Sequence, residues 1–181
     1  MRGEGDGIDD RDRAAFEARL LTHLEAAWTL ARYLLRDGHD AQDAVQEAYL
    51  RALRTSPEAR VANERAWLLR IVRNACMDAH RRRARAGEVD AVEDFGGMEM
   101  AGDPGAEAEL LRAAGADAVR EAIERLPAEY REVIVLREFE EMSYKRIAAV
   151  TGAPAGTVMS RLARARALLR RMLAADPRVT G

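Results

Sequence analysis

One cysteine, Cys76, stands in the whole chain, so no disulfide can form within it. Aromatic residues make up only 5% of the sequence, and with alanine, leucine and arginine abundant this favours helices over sheets. No apolar run approaches the roughly 18 residues that a membrane helix needs. The stretch from Met1 to Arg13 is polar and acidic, so no secretory signal is expected and a cytoplasmic protein is the simplest reading. A glycine-rich phosphate loop is also missing. Lysine occurs once, as Lys145, against 28 arginines. Positive charge is therefore carried almost wholly by guanidinium, the group that bonds phosphates or reaches guanine edges in bidentate fashion.

What is present is a charge pattern hidden under a net charge of −2. Residues 1–50 carry a net −5, residues 58–86 a net +5, residues 87–110 a net −8 with no basic side chain, and residues 144–181 a net +7. Solvated helix faces are the usual fate of charge runs. Here two basic blocks each close a domain-sized segment, which points to nucleic-acid surfaces. The acidic stretch between them holds Gly96, Gly97, Gly102, Pro104 and Gly105 without a helical period, the composition of an extended linker. The expected fold is all-α: two small helical domains, residues 13–86 and 113–175, joined by an acidic flexible linker over residues 87–112.

Apolar spacing divides the first domain into three helices. One runs from about Arg13 to Arg36 on a stripe of Phe16, Leu20, Leu24, Ala27, Trp28, Ala31, Leu34 and Leu35. Gly38 suits its end and Asp40 the next N-cap. The second runs to about Arg54, burying Ala41, Ala44, Val45, Ala48, Tyr49, Ala52 and Leu53, with Asp43, Gln46, Glu47, Arg51 and Arg54 on its other face. The third follows an Asn63 cap to about Arg83 and ends in Arg81, Arg82, Arg83 and Arg85. Cations there complement the helix dipole, but four arginines exceed what capping needs, so a phosphate-contacting surface is expected. Trp67 falls in the apolar period and is expected in the core.

In the second domain a helix from about Asp117 to Arg125 is followed by one from Glu129 to Phe139. Ser143 is the expected cap of a short helix, Tyr144 to Val150. Thr151 to Pro154 form a turn in which Gly152 takes the left-handed conformation. A last helix, Gly156 to Leu173, buries Val158, Leu162, Ala165, Leu168, Leu169 and Met172 and carries five arginines largely outward, with no acid. A short helix, a glycine turn and a long basic helix form the arrangement that puts a recognition helix in the major groove. Cys76 and His80 stand four apart on one helix, but two ligands without a third make no metal site, and a buried thiol is expected. His23 and His39 have no triad-like context. Glu138, Glu140 and Glu141 are expected on a solvated face. No catalytic residues, metal or cofactor are expected.

These segments resemble a known family. Residues 40–51 (DAQDAVQEAYLR) and 63–74 (NERAWLLRIVRN) resemble the second region of bacterial sigma factors. Residues 126–137 (LPAEYREVIVLR), Met142 to Tyr144 and residues 156–166 (GTVMSRLARAR) resemble their fourth region. The length and the short acidic linker resemble the extracytoplasmic-function group, with the likeness covering roughly residues 13–173.

The resemblance implies a promoter-specificity subunit with no enzyme activity of its own. It implies docking on core RNA polymerase, at the clamp helices and the flap, with Asp43, Gln46 and Glu47 facing the clamp. It implies recognition and opening of the minus-ten element by the loop from Pro57 to Asn63 and by Asn63, Asn74, Asp78, Arg81 and Arg82. It implies reading of the minus-thirty-five element by Thr157, Met159, Ser160, Arg161, Arg164 and Arg166. An anti-sigma factor is a further implied partner, and the linker is expected along the polymerase's RNA path. Position 159 is commonly basic in the family and is methionine here; Lys145 and Arg146 stand where the family often has acids. Two other readings remain open at the level of sequence. One is a DNA-binding regulator acting alone as a dimer. The other is an interaction protein that sequesters a partner.

Overall fold

The computed structural model describes residues 6–54, 63–87 and 115–180, the backbone alone at residues 6–10 and Thr180. The expected linker beyond Gly87 and the loop between Pro57 and Asn63 lie outside the described residues. The chain divides into two compact units whose boundary in sequence falls at Gly87.

The first unit consists of α1 (Asp6–Leu21), α2 (Leu24–Leu35), α3 (Gly38–Leu53) and α4 (Glu64–Arg85). The helix expected from Arg13 to Arg36 is thus two helices. The carbonyl of Leu20 accepts from the His23 amide at 3.0 Å and from the Tyr49 hydroxyl at 2.8 Å. Thr22 returns its hydroxyl to the Arg19 carbonyl at 2.7 Å, a local bond that competes with the helix ladder. The break shifts the phase of the stripe. Phe16, Leu20, Ala27, Ala31, Leu34 and Leu35 are buried as expected and Leu30 joins them, but Leu24 and Trp28 are exposed.

A second difference lies at the next junction. Arg36, not Gly38, takes the left-handed cap of α2, with φ 60°. Asp37, not Asp40, caps α3, its Oδ1 accepting from the amides of His39 at 2.8 Å and Asp40 at 2.9 Å. Those bonds, the Asp40 amide first, hold the Asp37 carboxyl below the usual carboxylate range. Asn63 caps α4 as expected, accepting from Ala66 at 2.8 Å. The α3 face that meets α2 and α4 is built from Ala41, Ala44, Val45, Ala48 and Ala52. Against it α4 sets Leu68, Leu69, Val72, Ala75 and Cys76. Trp67 is half-buried, its ring 6.3 Å from that of Phe16. Each fully buried leucine contributes roughly 2 kcal/mol, so the apolar seam holds this unit together and the exposed ion pairs described below add little.

The second unit consists of α5 (Ala116–Arg125), α6 (Ala128–Ile134), α7 (Tyr144–Thr151), α8 (Ala155–Ala174) and α9 (Pro177–Thr180). The expected helix through Phe139 ends instead in a π-helical turn, Val135–Phe139, in which the Glu140 amide reaches the Val135 carbonyl at 3.2 Å. Arg137 donates to the Met142 carbonyl at 2.9 Å and lies 5.4 Å from the Tyr144 ring centre, securing the approach to α7. Ser143 caps α7, accepting from the Arg146 amide at 3.4 Å. Gly152 then takes φ 74°, a conformation that costs an L side chain about 1–2 kcal/mol. That left-handed residue turns the chain sharply into α8, which packs on α5, α6 and α9 through Val158, Leu162, Ala165, Leu168 and Leu169. The short α9 was not foreseen; Arg178 on it pairs with Glu121 of α5 and with Asp176, both at 2.7 Å.

Candidate nucleic-acid interface

Two surfaces gather the residues singled out by the sequence. On the first unit, α3 presents Asp43 and Gln46 on its exposed side. Asp43 has no ion-pair partner among the described residues. Glu47, one turn on, is tied down. Arg51 meets it at 2.5 Å and also meets Asp78 of α4 at 3.6 Å. Asp78 is bound in turn by Arg81 at 2.5 Å, and Arg82 reaches back to Glu47 at 3.9 Å. The Arg81 hydrogen bond, with Arg51 adding to it, holds the Asp78 carboxyl below its ordinary range.

The acids of α3 and the arginines of α4 therefore form one ion-pair ladder, extended by Arg83 on Asp40 at 2.8 Å. Glu47, Asp78, Arg81 and Arg82, expected on two separate surfaces, are brought together by it. Arg51 joins them and was not among the expected site residues. Its fourfold spacing to Glu47 is legible, but its reach across to Asp78 needs the packing of α3 on α4. Asn74 is exposed on α4, while the Asn63 side chain is engaged in capping.

The second surface is the outer side of α7, the turn and α8. The first turns of both helices lack acidic residues, and Lys145 and Arg146 stand exposed in that of α7. Thr157 is half-buried and Ser160 donates to its carbonyl at 3.0 Å. Met159 points into solvent with 55% of its surface exposed. Arg161 lies back against α6, 2.9 Å from Glu129 and 3.7 Å from the buried Glu132. Arg166 pairs with Glu138 at 2.7 Å. Arg164 is exposed and pairs with no described carboxylate. Glu140 departs from the expected solvated face: it is 7% exposed, drawn inward by the π turn.

The sequence matches two family models, Sigma-70 region 2 over residues 20–86 and Sigma-70, region 4 over residues 116–169. It is 39% identical over 163 residues to the ECF RNA polymerase sigma factor SigM of Mycobacterium tuberculosis, covering 90% of this chain and 79% of that one. The chain belongs to the sigma-70 family, as an extracytoplasmic-function sigma factor. The ECF RNA polymerase sigma-E factor of Escherichia coli is 33% identical over 168 residues, covering 88% of this sigma factor and 86% of its own length. Among solved structures, the sigma factor RpoE bound to the anti-sigma factor NepR from Bartonella quintana superposes with a TM-score of 0.69 at 28% identity, over 90% of this chain and 98% of that one. CnrH, in complex with the cytosolic domain of CnrY, does so with a TM-score of 0.58 at 28% identity, over 93% and 98% of the two chains.

As a sigma factor the protein is a DNA-recognition subunit that directs RNA polymerase to promoters. The ladder lies in its region 2 and the helix-turn-helix in its region 4. No helix among the described residues is long and apolar enough to cross a membrane. The described residues of this sigma factor also contain no group of three or more metal-ligating side chains. His80 donates its Nε2 proton to the Leu34 carbonyl at 2.8 Å. Cys76 is fully buried, and burial pushes its thiol up to about 12. Alkylation at pH 8 is therefore expected to be at least about a hundredfold slower in the native protein than in the unfolded chain, because the thiolate is the reacting form. Equal rates, followed by mass spectrometry, would contradict the buried thiol.

Proposed function

We propose that the two domains divide promoter recognition as follows. The domain of residues 13–86 docks on the clamp helices of core RNA polymerase through Asp43, Gln46 and Glu47. A carboxylate and amide face of this kind suits an arginine-rich partner helix. The same domain captures and opens the minus-ten element with Asn63, Asn74, Asp78, Arg81 and Arg82, where unstacked bases meet a cationic surface. The domain of residues 113–175 binds the polymerase flap and reads the minus-thirty-five element with α8, through Thr157, Met159, Ser160 and Arg164. Arg161 and Arg166 pair with Glu129 and Glu138 in the free protein and contact the DNA backbone once α8 docks. The acidic linker, residues 87–112, runs along the RNA path of the polymerase. The protein works in the cytoplasm beside the polymerase, and an anti-sigma factor covers both domains; the similar sigma factor RpoE is itself found in complex with the anti-sigma factor NepR.

The observation that carries this reading is the helix-turn-helix. Gly152 sets the turn, and α8 follows with an acid-free N-terminal end that favours phosphate. Run-off transcription tests it. The protein, bacterial core RNA polymerase and fragmented genomic DNA should together give discrete transcripts that core alone does not. Tight duplex binding without core, and no transcripts with it, would point instead to a regulator acting alone.

A further inference from the structure

The recognition helix carries one large apolar side chain outward. Met159 is 55% exposed in the second turn of α8, and its neighbours one turn away on the same side, Ala155, Gly156 and Ala163, are too short to cover it. The buried side of α8 is already filled by Val158 and Leu162, so Met159 is not a displaced core residue. The polar groups of the next two residues are engaged within the protein. Ser160 gives its proton to the Thr157 carbonyl at 3.0 Å. Arg161 is drawn back onto Glu129 and Glu132. The N-terminal turns of a recognition helix are those that reach base edges. At that point this helix offers a thioether and not a guanidinium.

A thioether has no donor for a phosphate or for the acceptor edge of guanine, and its sulfur is only a weak acceptor for the amino groups of adenine and cytosine. The one apolar feature of the major groove is the C5-methyl group of thymine. We propose that Met159 is a specificity-determining residue that packs on a thymine methyl in the minus-thirty-five element. It thereby selects a T·A pair at one position, where a basic residue would select guanine or a phosphate. This rests on the reading of α8 as the minus-thirty-five helix, and it adds the base chemistry that this helix recognises.

The test uses thymine-to-uracil exchange, which deletes the methyl and leaves the pairing intact. Run-off start sites first supply a promoter. Each thymine of its minus-thirty-five element, on either strand, is then replaced singly by deoxyuridine, and binding of the holoenzyme is measured with the native protein and with Met159→Ala. One position should weaken the native holoenzyme about fourfold, the size expected for one buried methyl, and leave Met159→Ala unaffected. A second variant, Met159→Arg, should shift the preferred pair at that position towards G·C. Uracil effects that are absent, or equal in native and variant proteins, would overturn the proposal. So would a Met159→Ala variant whose affinity for core polymerase falls while its DNA preferences stay fixed, since the side chain would then face protein. A protein that yields no promoter-dependent transcript at all overturns the underlying reading first, and is seen before any uracil is introduced.

Discussion

Reversing the charge at Asp43, by Asp43→Arg, is expected to weaken binding to core RNA polymerase at least tenfold, about 1.4 kcal/mol or more. The residue is exposed on α3 and pairs with no described side chain, so its replacement breaks nothing inside the fold. Its effect should therefore appear in affinity and in its dependence on salt, with the melting temperature unchanged. An arginine facing an arginine-rich helix adds repulsion as well as removing attraction, which is why reversal should exceed truncation to alanine. Competition for core against the native protein, at two salt concentrations, measures it. Unaltered affinity would remove the α3 face from the docking surface.

The second large effect is one of stability. Glu132→Ala should destabilise the C-terminal unit by about 3 kcal/mol, the cost of removing one partner from a buried charge arrangement. For a domain of this size that corresponds to a fall in Tm on the order of 15 °C. Glu132 is 2% exposed, on α6, and faces Arg161 of α8 at 3.7 Å. Its loss leaves a half-buried guanidinium facing the more exposed Glu129. Glu129→Ala, at a half-exposed position, should cost well under 1 kcal/mol. Thermal unfolding followed by circular dichroism compares the two; equal costs would mean that burial does not set the strength of these pairs.

Much of this architecture could be read from residue order alone. The helical period placed α3, α4, α7 and α8 to within a few residues, because their apolar faces are uninterrupted and their caps are strong: Asn63 before α4, Ser143 before α7, Gly152 after it. What escaped depends on tertiary bonds. Nothing in the order of residues from Arg13 to Arg36 announces that Tyr49, from another helix, will claim the Leu20 carbonyl, so the break before Leu24 and the exposure of Trp28 were invisible. The same holds for the π turn that draws Glu140 inward. For the candidate site, the residue types were legible and their availability was not. Arg161 and Arg164 look alike in sequence, yet one is pinned to α6 and the other stands free of described carboxylates. Runs of arginine likewise gave the sign of the α4 surface but not its pairing to Glu47.

That ladder also constrains how this sequence can drift. A change at Glu47 removes one charge from the proposed docking face and, in the same step, deprives Arg51 and Arg82 of a carboxylate. A change at Asp78 does the same to Arg51 and Arg81. Substitutions along the ladder are therefore non-additive, and a reversal on α3 is best tolerated when α4 reverses with it. The proposed polymerase surface and the proposed DNA surface are thus inherited as a single unit, with Arg51 joining the two.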